Sequence, residues 1–215
     1  MAEESSPSSP KWRRRADARP SEIVQAAYEV FSEKGFAAAR LDEIAKRAGV
    51  SKGALYLYFE TKQDIFEAVV KDAIAPNIGA IETFVLAFPG PFDQLIRMLA
   101  PRVAEIASQS GMGKVIKMVI GESGNFPEIA RVWHDDVIAK GLGILTGAIT
   151  RAQERGEVRL GDPRQHALSI AGPLLAAVIF RETFVPVGAK PFDIPSLMQQ
   201  HLDNVLPGLV TSQPT

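Results

Sequence analysis

The 215-residue chain has no cysteine, which excludes disulfides and thiolate metal sites and suits a reducing cytoplasm. It also lacks a long apolar run: no stretch reaches the roughly 20 uninterrupted apolar residues that span a bilayer. The opening MAEESSPSSPKWRRR lacks the apolar core of a signal peptide. A soluble, cytoplasmic protein with no membrane partner is therefore expected. Period-two alternation bounded by hairpin turns is missing as well, so no sheet is expected. The three histidines, His134, His166 and His201, lie in separate segments without HExxH or other ligand spacing, so neither a metal nor a cofactor is expected. Net charge is only −1, which by itself points to no class of partner.

What is present is a globular composition, 46% apolar and 23% charged, in a chain long enough for one or two compact units; two are expected. The charge is uneven. From Lys11 to Phe66 eleven Lys and Arg face eight Asp and Glu, a surplus of three, while the residues before and after are each net negative. Residues 1–19 are rich in Ser and Pro and then basic (Lys11, Arg13, Arg14, Arg15, Arg19), with only Trp12 to bury. They are expected to be disordered, either a solvated tail or an arm on DNA phosphates or in a minor groove.

From Pro20 the pattern is helical. Ile23, Ala26, Ala27, Val30 and Phe31 recur at three and four residues until Gly35 stops the helix. Leu41, Ile44, Ala45 and Ala48 repeat the spacing for two turns, Gly49 ends that second helix, and Ser51 caps a very short third one with Leu55 and Phe59 on its buried face. A fourth begins near Thr61. Two short helices joined by Ala-Gly-Val, the second opened by a serine, form the pattern of a helix-turn-helix, whose reading helix lies in the major groove. Lys52 reaches a base edge or phosphate, Gly53 lets backbone approach DNA, and Ala54, Tyr56 and Leu57 project away from the core. Tyr58 and Lys62 are placed for phosphates.

The stretch IAKRAGVSKGALYLYFETKQDIF resembles the signature of the TetR family of transcriptional regulators, with Ala-Gly-Val, Ser-Lys-Gly, Leu-Tyr-x-Tyr-Phe and a following Lys in that order, over about Ser21 to Phe66. The resemblance implies an all-α fold of about nine helices: a helix-turn-helix domain at 20–66 and an effector-binding and dimerisation domain at 67–215. It implies a homodimer on double-stranded DNA at a palindromic operator, usually a repressor, with a small-molecule effector. Base edges would then meet Lys52, Gly53, Ala54, Tyr56 and Leu57, and phosphates Tyr58 and Lys62. One departure stands out. Where the family usually has a capping threonine before helix two, this chain has Arg40, so the cap is either lost or supplied otherwise, while an arginine there can still reach phosphate.

Beyond Phe66 the pattern stays helical. Pro76 is expected to kink or break the long fourth helix, which then serves as the lever between effector and DNA, and a further helix is expected to run from Pro127 to about Arg155. The stretch at 165–184 is apolar on nearly every side and needs a cover, either the middle of a monomeric bundle or, with the last helix at 194–206, a subunit interface. Large apolar residues near helix breaks, Phe84, Phe88, Met98, Met112, Met118, Phe126 and Trp133, are candidates for lining an effector pocket, with Arg97, Glu122, His134 and Arg181 as polar groups that orient a mostly hydrophobic ligand. An enzyme is not expected. His134, Asp135 and Asp136 are consecutive on a helix and splay apart, GLGILTG follows no strand, and GESG is not a nucleophile elbow. A plain helical interaction module is the other rival.

Overall fold

The structure, a computed structural model, describes residues 11–108 and 112–211. Among these it contains α1 (Lys11–Ala38), α2 (Leu41–Arg47), α3 (Lys52–Tyr56), α4 (Lys62–Val69), α5 (Ala75–Ala87), α6 (Phe92–Ser108), α7 (Met112–Glu122), α8 (Pro127–Trp133), α9 (Ala139–Glu154), α10 (Pro163–Phe184) and α11 (Ile194–Leu209). A π-helical turn at Val70–Ile74 joins α4 to α5, and another at His134–Ile138 joins α8 to α9, so the eleven segments form nine rods. The fold is all-α. No strand occurs among the described residues, only an isolated bridge between Val158 and Val210.

The two π turns refine the expected long helices. Pro76 stands at the start of α5, just past the first π turn, where its missing N–H and the bulge accommodate one another. The rod from Pro127 does reach Glu154, but with a bulge at His134. The N-terminal expectation is corrected more firmly. Residues 1–10 lie outside the described residues, while 11–19, expected to be a disordered arm, continue α1 as helix through Pro20. Arg and Ala, frequent there, are strong helix formers, and their propensity outweighs the lack of apolar residues. Gly35, at φ 81° and ψ 172°, breaks the helical path as expected, and one short turn follows to Ala38.

The head, α1 to α4, closes on Ile23, Ala27, Val30, Phe31, Ile44, Ala45, Leu55, Ile65 and Phe66, all at most 2% exposed. That core does not stop at the head. Val115, Met118 and Val119 of α7, with Ile129 and Trp133 of α8, belong to the same cluster. A second core joins α5, α6, α9, α10 and α11, and a third lies where α6, α10 and α11 meet. The segment Pro163–Val187 is, by length and composition alone, long enough and apolar enough to cross a bilayer, although its apolar residues are interrupted; 17% of its apolar window is buried within the chain.

Candidate nucleic-acid interface

The turn between α2 and α3 is built from backbone hydrogen bonds. Gly49, at φ 67°, donates its N–H to the Lys46 carbonyl at 3.2 Å, and Val50 donates to that of Ala45 at 3.0 Å, the paired closure of a helix end that needs a left-handed residue. Ser51 Oγ then accepts from the Ala54 N–H at 3.1 Å and opens α3. Leu55 is fully buried and pins the helix, while Tyr56, Leu57 and Tyr58 are 44%, 82% and 40% exposed. A water-exposed leucine and two tyrosines gathered on so short a helix form an apolar patch that wants a partner. Beside them Lys52 and Gly53 are exposed and Ala54 half-buried; a Cβ at Gly53 would meet only Ser51 Oγ, 4.0 Å away.

Charges frame this face. Lys52 Nζ lies 2.7 Å from Asp42 Oδ1, and that carboxylate raises the lysine above its ordinary value. Both side chains are exposed, so the pair is weak and separable. Arg40 is extended and exposed and makes no side-chain cap, as its lack of an acceptor dictates. Behind the face, Arg47 makes a two-pronged contact to Glu33 at 2.7 and 2.8 Å, locking α2 to α1.

Lys62 is turned inward. Its ammonium donates to the carbonyls of Phe36, Ala37 (3.3 Å) and Ala39 (3.1 Å) and sits 4.5 Å from the centre of the Phe36 ring; burial lowers its pKa. An ammonium has three donors, and here all three serve the joint between α1 and α2 rather than the outer face. Facing it from the other side, Glu122 at the end of α7 accepts from the N–H groups of Phe36 (3.2 Å) and Ala37 (2.6 Å). The Phe36 ring packs against Phe31, Phe66 and Phe126 at centroid distances of 5.5, 5.9 and 5.2 Å.

The effector candidates do not meet in one cavity, and Met112 packs against the head's core. Met118, Phe126 and Trp133 pack into the head's core, Phe84 and Phe88 flank the second core, Met98 is 56% exposed, and His134 is exposed with its ring nitrogen 2.7 Å from Asp135 Oδ1. The physical reason is that α7 and α8 lie against α1 and α4, so their apolar faces are spent there. Of the polar candidates, Glu122 holds the head, Arg97 pairs with Asp203 at 2.5 Å, and Arg181 binds the Ala107 and Ser108 carbonyls at the end of α6. The body instead has a cleft of about 570 Å³ between α5 and α9, lined by Ile78, Val85, Leu86 and Ile144 with Glu82, Lys140 and Arg151 among them. Asp42 and Phe36 carried no expectation at the head, and Glu122, expected to orient an effector, holds the head instead. Only Asp42 left a local signal, an acid in the first turn of α2 facing a lysine ten residues on.

Residues 23–69 match the family described as bacterial regulatory proteins, tetR family, and residues 94–192 match the C-terminal domain of AefR-like transcriptional repressors. The uncharacterized HTH-type transcriptional regulator TtgW of Pseudomonas putida is 37% identical over 119 residues, covering 51% of this chain and 89% of that protein. The fatty acid metabolism regulator protein of Bacillus subtilis is 26% identical over 140 residues, 65% of this chain and 71% of that protein. Among solved structures, the transcriptional regulator FadR from Bacillus subtilis in complex with stearoyl-CoA superposes with a TM-score of 0.73 at 23% identity, over 87% of this chain and 98% of that one, a likeness of fold.

Proposed function

The chain belongs to the TetR family of bacterial regulatory proteins, DNA-binding transcriptional regulators rather than enzymes, and from that premise we propose a repressor that binds a palindromic operator as a homodimer and is released by a small, mostly hydrophobic effector. The observation that carries this is the outward face of α3. Tyr56 and Leu57 stand exposed next to Lys52 and Gly53 on a helix that Leu55 holds from within. Lys52, Gly53, Ala54, Tyr56 and Leu57 meet base edges, and Tyr58 and Arg40 the flanking phosphates.

The second copy covers α10 and α11. Leu168 and Leu175 are 62% and 41% exposed, and between the two helices runs a groove of about 600 Å³ lined by Pro173, Ala176, Phe180 and Leu197. A helix apolar all round but so little covered inside its own chain is accounted for by burial between twofold-related copies. The effector enters the cleft between α5 and α9. Its aliphatic lining suits an apolar body, Lys140 and Arg151 suit an anionic end, and the acyl-CoA held by the related FadR is a ligand of that kind. Occupancy shifts the population toward an arrangement in which the two α3 helices no longer match major grooves about 34–36 Å apart, with the rod α4–α5 as the lever.

Selection of bound duplexes from a random pool tests this. The expected product is a short palindrome bound at a stoichiometry of one dimer, with affinity falling steeply in salt. Tyr56→Ala should lower the ratio of operator to random binding, and Leu175→Lys should yield monomers in sedimentation that have lost the palindrome. Enrichment of no sequence, or a monomer that binds as tightly as the wild type, overturns the proposal.

A further inference from the structure

We propose that α7 is a strut that fixes the reading head relative to the twofold face, with Glu122 as its head-end contact and thus a positioning residue for operator recognition; this rests on the dimeric operator binding proposed above. The geometry has two ends. Near its start, α7 lies tightly on α10. Gly113 is buried there, and a Cβ at that position would come within 2.6 Å of Glu182 Oε1 and 2.8 Å of Arg181 Nη2. One turn on, Lys117 Nζ donates to the Glu182 carbonyl at 2.8 Å. At its other end Glu122 takes the N–H groups of Phe36 and Ala37.

The head end is specific. Gly35 breaks the helical path of α1, so the N–H groups that follow are those of a new helical start, where a carboxylate is favoured. The fit is close enough that a Cβ at Gly35 would stand 2.3 Å from Glu122 Oε1. Lys62 grips the same four-residue joint by its carbonyls, and its charge attracts Glu122. The joint therefore lies between a cation from the head and an anion from the body, and it leads directly into Arg40 and α2. The helix packed on the proposed dimer face and the contact that holds the joint before the helix-turn-helix are the same rigid element. At this junction Glu122 adds a directional, charge-assisted contact to the apolar packing of Met118 and Val119.

The test uses the full-length protein and the selected palindrome, compared with the same palindrome lengthened by one base pair at its centre. Wild type should discriminate strongly between the two. Glu122→Gln, which keeps one acceptor and the side-chain volume, should fold with unchanged helicity and dimerisation. It should lose about tenfold of amide protection at Phe36 and Ala37 and shrink the discrimination between the two spacings by about fivefold or more, with affinity for random DNA unaltered. Glu122→Ala should go further in the same direction. Loss of protection with unchanged spacing discrimination would make the contact merely structural and overturn the proposal, and so would unchanged protection. Failure of the wild type to select any palindrome would instead overturn the operator-binding function itself, and the strut with it.

Discussion

Lys62→Met separates two roles for one cation. Methionine keeps an unbranched stem of similar length over the Phe36 ring and removes the charge. Three ammonium-to-carbonyl bonds then disappear, each worth about 1.5–3 kcal/mol when taken singly for a charged donor. Two effects reduce the sum. The Ala37 carbonyl belongs to an exposed residue and rehydrates, and the desolvation that lowers the pKa of Lys62 is recovered when the charge is gone. A net destabilisation of about 2 kcal/mol remains. In a chain of this length that corresponds to a fall of about 4–8 °C in the thermal midpoint. Circular dichroism melts of the free protein at fixed concentration measure it. A phosphate-binding role, the one expected from the motif, predicts something different: an unchanged melt, and a salt dependence of DNA binding whose slope falls by about 0.9 for each phosphate that the lysine no longer neutralises. That second pattern would refute the capping role.

Gly53→Ala meets open space in the free protein, so its melt should hold or rise by the roughly 0.8–1.0 kcal/mol that separates glycine from alanine in a helix, while operator affinity drops because the added methyl stands between α3 and the bases; unchanged affinity would mean α3 does not approach DNA at that point. Asp42→Asn frees Lys52 and removes a negative charge from the reading face, so DNA binding should strengthen several-fold at low salt and the gain should fade as salt rises, read by fluorescence anisotropy. Glu157, bonded to Arg155 and to the Phe92 N–H, is held below the ordinary carboxylate range, the arginine being the larger cause. Its stabilising contribution is therefore present above about pH 4.3 and lost as pH falls through its lower folded value, and Glu157→Gln should flatten the acid limb of the stability profile.

The head was legible because its determinants are local. Gly49 needs a left-handed backbone, Ser51 has an acceptor for the Ala54 N–H three residues on, and Leu55 sits four residues from Phe59, so each requirement lies within one or two turns of its cause. Of the two outcomes open for the start of α2, a lost cap or one supplied otherwise, Arg40 makes no side-chain cap. What was not legible depends on how helices cross. Glu122 and its backbone partners are separated by 86 and 85 positions, and nothing in the spacing of α7 announces which way a terminal carboxylate will turn. Lys62 has the residue type and position of a phosphate contact, yet its direction is decided by three carbonyls left without intrahelical partners where α1 ends at Ala38. The effector candidates failed to converge for a related reason: size and proximity to helix breaks select residues that must be covered but not the helix that covers them, and α7 and α8 spend their large side chains on the head. Three glycines, Gly79, Gly143 and Gly147, line the cleft between α5 and α9 and leave space that side chains would fill, so in this chain small residues at helical spacing on facing helices, not large ones, mark the cavity.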